Sequence, residues 1–266
     1  TMTRFILGMI LTIGALVFLG CPLRMVIRMS AGDLNAWVAL IGFVLGVGTG
    51  VIVLKQGYSL GRAYPAKKSS GMIISVIAVG ILLLALFTTL LKSSEDRSWK
   101  YACTCCNFSD WRLLFGAFAQ KSRMCFAGSV RDIILMRNFE LVSVIGGFFV
   151  VMLIYNLVTG NFALSFNTPG VIAHSEHLWN ILGMYAVGFA AVLAGGCPLR
   201  QLVLAGQGSS DSAVTVVGMF VGAALSHNLG LASSGTALNP EAKEVVAGAV
   251  TAMVKSQLLY VLLLVL

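Results

Sequence analysis

Apolar runs of membrane-spanning length alternate with short polar segments along the chain. Seven such runs can be marked, each close to the roughly 20 residues that a helix needs to cross a bilayer. They are residues 5–23, 36–54, 71–91, 141–158, 178–194, 212–228 and 245–266. The region 111–137 is also predicted to be helical, but it is too short and too charged for an ordinary crossing. The pattern predicts an all-α, polytopic integral membrane protein.

Composition and charge agree with this pattern. Of the 266 residues, 58% are hydrophobic and only 11% are charged, whereas soluble domains average about 25% charged residues. A soluble enzyme and a nucleic-acid-binding chain are therefore excluded, although the net charge is +8. The basic excess instead fits cytoplasmic loops. Segment 55–70 carries four basic residues and no acidic one, so we expect it inside, with 159–177 and 229–244 outside.

An internal repeat is the most informative feature of the sequence. The pentapeptide GCPLR occurs at residues 20–24 and again at 196–200, an offset of 176 positions. The same offset relates Gly32 to Gly208, Gly42 to Gly218 and Gly46 to Gly222. The chain is therefore predicted to contain two pseudo-symmetric copies of one element. The copies are inverted if the region 111–137 crosses the membrane, and parallel if it forms a re-entrant hairpin. We favour the inverted arrangement, which is typical of transporters.

Each GCPLR copy is predicted to interrupt a membrane helix. Proline cannot continue a helix but readily begins one, so short helices are expected over 22–29 and 198–206, each with a cysteine at its N-cap. A helix N-terminus carries unpaired N–H groups and the positive end of the helix dipole, which favour anions. A thiol and an arginine there point to a small, soft anion that bears sulfur or selenium. The candidate binding residues are Gly20, Cys21, Pro22 and Arg24, and Gly196, Cys197, Pro198 and Arg200.

A second cluster lies between the two copies. Cys125 precedes a short predicted helix that carries Arg131 and Asp132. Arg131 is a candidate for attracting an anion, with Asp132 balancing or orienting it; a local ion pair at a helix end is the alternative interpretation. Asp33 and Asp211, which follow the two short helices, are expected in solvated turns.

Other polar residues carry no clear chemical signal. Cys103, Cys105 and Cys106 lack the spacing of a zinc site, and both an external disulfide and free thiols stay open for them. The segment 174–177, with two histidines and a glutamate, is better explained as an interfacial loop than as a metal site. The sequence contains no catalytic triad, nucleotide-binding loop or metalloprotease motif, so no enzyme, metal or cofactor is predicted.

The quoted residues resemble the YeeE/YedE family of membrane proteins, and most closely its YedE branch, which is associated with selenium metabolism. The repeated GCPLR, the stretch RMCFAGSVRDIILMRN at 123–138 and the stretch 196–234 carry the resemblance. It implies a multi-pass inner-membrane protein that imports a thiosulfate-like anion or its selenium analogue through a pore lined by cysteine thiols. By position, those thiols are Cys21, Cys125 and Cys197, beside Arg24, Arg131 and Arg200. The implied partners are the lipid bilayer and a small cytoplasmic sulfurtransferase-like protein.

The resemblance also divides the chain into four parts. They are a first repeat element (1–64), a membrane helix with a polar linker (65–110), a second repeat unit (111–234) and a C-terminal membrane helix (235–266). The Arg-Asp element of the family precedes the second GCPLR but not the first, so we expect its N-terminal copy to be missing. Two other functions stay open: a membrane redox or sulfurtransferase-like protein that forms a cysteine persulfide or selenosulfide, and a membrane scaffold for a soluble partner.

Overall fold

The computed structural model describes residues 2–58, 76, 80, 115–164, 166, 176–233, 237–238 and 245–246. The regular secondary structure in this part of the chain is helical except for one short antiparallel pair of strands, in which Ala237 lies opposite Val246. The elements are α1 (Met2–Phe18), α2 (Pro22–Ser30), α3 (Leu34–Lys55), α4 (Phe126–Met136), α5 (Glu140–Val158), α6 (His177–Ala194), α7 (Pro198–Gly206), α8 (Ser210–Asn228), β1 (Ala237–Leu238) and β2 (Val245–Val246). Residues 115–121 are also helical.

Four stretches of the described chain are long and apolar enough to cross a membrane. They are Met2–Ser30, Leu34–Lys55, Glu140–Val158 and His177–Gly206. The chain is therefore a multi-pass membrane protein, and the helices predicted from four apolar runs are confirmed. α8 forms where the run 212–228 predicted a helix, but the polar residues at its two ends keep it outside these four. The runs 71–91 and 245–266 lie outside the described residues except at 76, 80 and 245–246, and residues 245–246 form β2 rather than a helix.

Both predicted helix breaks are present and have the same geometry. α2 and α7 begin at the prolines of the two GCPLR motifs, as predicted, and α2 extends to Ser30. The cysteine before each proline is extended, with φ/ψ of −85°/169° at Cys21 and −67°/166° at Cys197. Two residues earlier the backbone takes a left-handed turn, at Leu19 (φ 63°) and Gly195 (φ 85°). The repeat in sequence is therefore also a repeat in local structure.

Glycine lets helices of the two units approach backbone to backbone. A Cβ atom on Gly42 of α3 would overlap the carbonyl oxygen of Ile181 in α6. A Cβ atom on Gly218 of α8 would likewise overlap that of Phe5 in α1. The next turns repeat these contacts through Gly46 with Tyr185 and through Gly222 with Met9. All these pairs follow the offset of 176, so α1 packs on α8 as α6 packs on α3. Small residues at crossings are typical of helix packing in membranes.

α5 lies at the outside of the described bundle. Asn156 is its one buried residue, while apolar side chains such as Val151 (65%) and Ile154 (54%) are largely exposed. A continuous exposed apolar surface of this kind fits contact with lipid rather than with water. The Asn156 amide points inward and donates to the Ser30 hydroxyl at 3.2 Å, which ties α5 to the end of α2.

The turn between α2 and α3 is buried, so the prediction that Asp33 lies in a solvated turn was wrong. Asp33 accepts from Arg28 Nε at 2.8 Å and from the Asn35 backbone N–H at 2.9 Å. It therefore caps α3 and also neutralises Arg28, which is buried and needs a countercharge. Asp211 lies in the first turn of α8 and pairs with Arg4 at 3.3 Å, so it is not a free turn residue either.

Candidate functional site

Cys125 is the N-cap of α4. Its sulfur accepts a hydrogen bond from the backbone N–H of Gly128 at 3.2 Å, in the way that side chains at this position usually do. The close approach favours glycine, because a Cβ atom on residue 128 would lie 3.1 Å from the sulfur. The prediction that a cysteine begins this short helix is confirmed, and the thiol lies at the positive end of the helix dipole.

Cys125 meets Cys197 in the interior. The two side chains are 7% and 1% exposed, and both are free thiols. The Cys125 thiol interacts with the Cys197 thiol and with its backbone N–H. The Cys197 thiol in turn meets the backbone N–H groups of Phe126 and Arg200. The N-termini of α4 and α7 therefore converge, so that two positive dipole ends and two thiols lie together.

A cavity of about 370 Å³ opens beside this cysteine pair. Its wall carries three arginines and two acidic residues, and small residues of α6 close it on one side. The lining residues are Arg123, Cys125, Ala127, Gly128, Arg131, Asp132, Asn138, Glu140, Leu141, Ala191, Val192, Gly195, Gly196, Arg200 and Leu204. Four of the predicted site residues, Cys125, Arg131, Gly196 and Arg200, thus line one cavity. Cys197 and Pro198 follow Gly196 in the chain but are not among the residues that line the cavity.

Arg131 is engaged locally. Its Nε and Nη2 atoms lie 3.0 and 2.9 Å from Asp132 Oδ1, so the ion pair considered as the alternative for this cluster is formed. The pair is partly exposed to the cavity, at 32% for Arg131 and 16% for Asp132. Arg131 still contributes a donor surface to the cavity wall, but much of its charge is balanced by its neighbour.

Arg200 is less constrained by partners. Its Nη1 atom is buried and has no hydrogen-bond partner within the described chain. Its stem folds back over Gly196, where a Cβ atom would lie 3.1 Å from Arg200 Cγ. The first motif has the same arrangement, with a Cβ on Gly20 placed 2.8 Å from Arg24 Cδ. The glycine before each motif cysteine therefore makes room for the motif arginine beside the helix N-terminus.

The first motif is not brought into this cavity. Cys21 is half-buried, and its side chain makes no capping hydrogen bond. Among the described residues, Gly20, Cys21, Pro22 and Arg24 do not line the cavity beside Cys125. The Nε atom of Arg24 is buried and has no hydrogen-bond partner among the described residues. The two motifs thus share their local backbone geometry, but among the described residues only the second motif contributes to this cavity.

Sequence reasoning missed Asn138, Glu140 and Gln201. Asn138 lies on the connection between α4 and α5, and its side chain accepts from the backbone N–H of Glu140, the first residue of α5, at 3.0 Å. Their only signal is a polar step before an apolar run, which also occurs at ordinary membrane interfaces. Gln201 follows the second GCPLR directly and is 2% exposed. A polar residue in the first turns of a short helix inside an apolar region was the available signal.

No metal centre is found among the residues that the structure describes. Within them, no three side chains of the His, Cys, Asp and Glu types come close enough to hold an ion. The His177 ring packs edge-on against Phe166, with centroids 5.5 Å apart. Cys103, Cys105, Cys106 and His174 lie outside the described residues.

A family model for sulphur transport matches residues 121–266, which is more than half of the chain. The matched part contains Cys125, Arg131 and the whole second GCPLR motif with α7 and α8. No curated protein matches the chain.

Proposed function

Because the chain belongs to the sulphur transport (YeeE/YedE) family, we propose that it moves a small sulfur-bearing anion across the membrane past the thiols of Cys125 and Cys197. The resemblance carried by the motifs is confirmed at the level of the family, and a transport family fits a protein that is not an enzyme. One observation carries the proposal: two helix N-termini, each with a cysteine at the N-cap position, converge beside a cavity lined by arginines.

The chemistry of this arrangement suits passage rather than storage. A transported ion must bind well enough to enter and weakly enough to leave. Thiols are weak, polarisable donors, and helix dipoles attract an anion without contributing a full charge. Arg200 adds one guanidinium with an unused donor. Thiosulfate-like anions fit these contacts, and selenium analogues are proposed as alternative substrates because the same donors suit them.

The first motif is proposed as a second contact on the same route. Cys21 and Arg24 repeat the local geometry of Cys197 and Arg200, including the extended cysteine before a proline. Buried, unpartnered nitrogen atoms on both arginines support equivalent roles. An anion leaving one thiol pair would then meet a similar group of donors on its way across the membrane.

We also propose that the two units are inverted in the membrane. The glycine contacts between α1 and α8, and between α3 and α6, advance in step along both helices, as parallel neighbours do. Along α1 and α6 the order reverses: Gly14 meets Val187, whereas Phe18 meets Gly183. Since α1 and α6 are equivalent elements of the two units, their opposite direction supports inversion, which places paired helix breaks near the bilayer centre.

Uptake by the purified protein in vesicles tests the transport proposal. We expect reconstituted protein to accumulate labelled thiosulfate, with competition by its selenium analogue selenosulfate and little competition by sulfate, which lacks a soft terminal sulfur or selenium atom. Cys125→Ala and Cys197→Ala should each reduce uptake, and Cys21→Ala should do so as well. Ser209→Ala is a matched control, because it truncates the N-cap side chain of the neighbouring α8 and does not line the cavity.

Normal uptake by the Cys125→Ala/Cys197→Ala double variant, at an unchanged amount of folded protein, would falsify the role of the thiols. Uptake of sulfate and thiosulfate at equal rates would contradict the proposed preference for a soft anion. In either case the family-level function, transport of a sulfur compound, would still stand.

The contact between two thiols also favours a second candidate function, transfer of sulfane sulfur. A thiolate at Cys125 would attack the outer sulfur of a thiosulfate-like anion, the S–S bond would break, and sulfite would leave while Cys125 becomes a persulfide. Thiosulfate labelled differently on its two sulfur atoms separates the two functions. Both labels inside the vesicle indicate transport, whereas the outer label alone, retained on the protein, indicates transfer.

Two further expectations stay predictions. Location in the inner membrane is tested by fractionating the two membranes of an expressing cell.

The resemblance also implies a small sulfurtransferase-like partner, which should co-purify with the chain. If the partner binds the basic segment 55–70, replacing the basic residues of that segment should abolish the association.

A further inference from the structure

The two helix breaks satisfy the same carbonyl group with different side chains. Phe18 and Ala194 are the last residues of α1 and α6, and they occupy equivalent positions before the two motif cysteines. In the first unit, Arg28 Nη1 donates to the Phe18 carbonyl at 3.5 Å. In the second unit, Gln201 Nε2 donates to the Ala194 carbonyl at 2.9 Å. Each unit therefore pairs the last carbonyl of the helix before its break with a side-chain donor from the short helix that follows.

The donors occupy different positions in the two short helices. At the offset of 176, the first-unit counterpart of Gln201 is Met25, and the second-unit counterpart of Arg28 is Leu204. Positions three residues apart lie on one face of a helix, so a side chain at either position can reach the end of the preceding helix. In the first unit the apolar residue, Met25, comes before the donor, Arg28. In the second unit the donor, Gln201, comes before the apolar residue, Leu204.

Each donor has surroundings that suit its charge. Arg28 is buried and lies against Asp33, with Nη2 at 2.7 Å from the carboxylate. In the second unit the Asp33 position is Ser209, which caps α8 through its hydroxyl. A neutral amide needs no countercharge, and Leu204 instead lines the cavity beside Arg200. An arginine at Leu204 would place another cation in that wall.

We propose that Gln201 is the positioning residue for Cys197: by holding the Ala194 carbonyl, it fixes the break that directs this thiol towards Cys125. The carbonyl at a helix end has no helical partner, and an unpaired carbonyl is costly in apolar surroundings. Burying the Gln201 amide is also costly, and its Oε1 atom has no hydrogen-bond partner in the described chain. The bond to Ala194 offsets that cost, whereas Met25 shows that an apolar side chain fits the equivalent position.

The variant Gln201→Met removes the donor and keeps a side chain of similar length. We expect the alkylation rate of Cys197 by a small maleimide, followed on its peptide by mass spectrometry, to rise about fivefold, the effect of losing one neutral hydrogen bond. For transport, this inference rests on the proposed function, and KM for the anion should rise by a similar factor with little change in maximal rate. Gln207→Met, an exposed glutamine directly after α7, is the matched control and should change neither.

The repeat also supplies a rescue variant. Adding Leu204→Arg and Ser209→Asp to Gln201→Met transfers the first-unit set of Met25, Arg28 and Asp33 to the second unit. The new arginine should donate to the Ala194 carbonyl and find its carboxylate, as Arg28 does. We expect the alkylation rate of Cys197 to return to the wild-type value in this triple variant.

If Cys197 is alkylated in Gln201→Met at the same rate as in the wild-type protein, the proposal is overturned. It is also overturned if the rate rises in Gln201→Met and the triple variant does not lower it. If Gln201→Met alone yields no folded protein, the triple variant decides: a folded protein with wild-type alkylation supports the proposal, and failure to fold refutes it. Wild-type protein that takes up no sulfur anion would refute the proposed function and leave the alkylation result valid.

Discussion

At the scale of residues, the candidate site depends on a contact that no local pattern contains. The sequence marks Cys125 and Cys197 separately, each as a cysteine at the start of a short helix, and both assignments are confirmed. Their contact joins two distant segments and follows from how α4 packs, which hydrophobic periodicity does not reveal. The pair of Arg131 with Asp132 is the opposite case, since it is local and was considered from the spacing alone.

The thiol contact predicts an oxidative cross-link. Copper phenanthroline should join Cys125 to Cys197 in membranes, because both thiols are free and interact directly. Digestion and mass spectrometry should show the linked peptides, and a reductant should separate them. Cys21→Ala should leave the cross-link intact, since Cys21 does not line this cavity. Failure to form the link under conditions that oxidise other proximal cysteine pairs would contradict the described contact.

Arg200 is predicted to contribute most of the attraction for the anion. Arg200→Gln should raise KM for uptake by about tenfold or more, the range expected for a hydrogen bond to a charged group. Arg131→Gln should have a smaller effect, because Asp132 already balances that charge. Arg4→Gln, which breaks a pair with Asp211 away from the cavity, is the control. Equal effects of all three changes on KM would point to a general loss of charge rather than to this site.

At the scale of elements, the sequence predicts where the helices form and where they break, but not which helices pack against each other. The prolines that begin short helices and the charge-free runs that form membrane helices are local features of the sequence. α2 and α7 begin at the prolines, as predicted. Which helices cross depends on matching surfaces. The recurrence of Gly42 at Gly218 was visible in the sequence, yet nothing local showed that Gly42 meets α6 and Gly218 meets α1. The pair of Arg28 with Asp33 is local, but its burial was missed because the turn is covered by residues distant in the chain, such as Ala163.

Two glycines of α3 make this packing testable. Gly42→Ala should destabilise the protein by about 1–3 kcal/mol, the usual cost of overpacking, because the added Cβ would overlap the Ile181 carbonyl. Gly48→Ala, in the same helix, meets nothing within 4 Å and should be neutral or stabilising, since alanine is the better helix former. Thermal unfolding in detergent, followed by loss of the monodisperse peak, measures both. A lower midpoint for Gly48→Ala than for Gly42→Ala would be inconsistent with the described crossing.

At the scale of the whole molecule, the two units are interlocked rather than side by side. α1 packs on α8 and α6, both in the second unit, and α3 packs on α6. The sequence repeat indicated two similar units, and counting crossings favoured inversion. How the units join depends on contacts between distant helices, which no count of spans contains.

Inversion predicts opposite exposure of the ends of α3 and α8. In right-side-out vesicles, an impermeant maleimide should label Leu229→Cys, after α8, and should label Gln56→Cys, after α3, only once the membrane is opened. Both positions are exposed in the fold, and the positive segment 55–70 favours the cytoplasm for the end of α3. These variants are best made in a background whose native cysteines are replaced. Labelling of both sites from outside would indicate parallel units.

The glycine crossings have a consequence for biosynthesis. α1 and α3 are synthesised before α6 and α8. The first unit therefore enters the bilayer before the helices that pack most closely against it have been synthesised. Until the second unit follows, its glycine-lined faces are left to lipid or to an insertion chaperone, and premature arrest of translation between the units should produce a fragment that quality-control proteases recognise and remove.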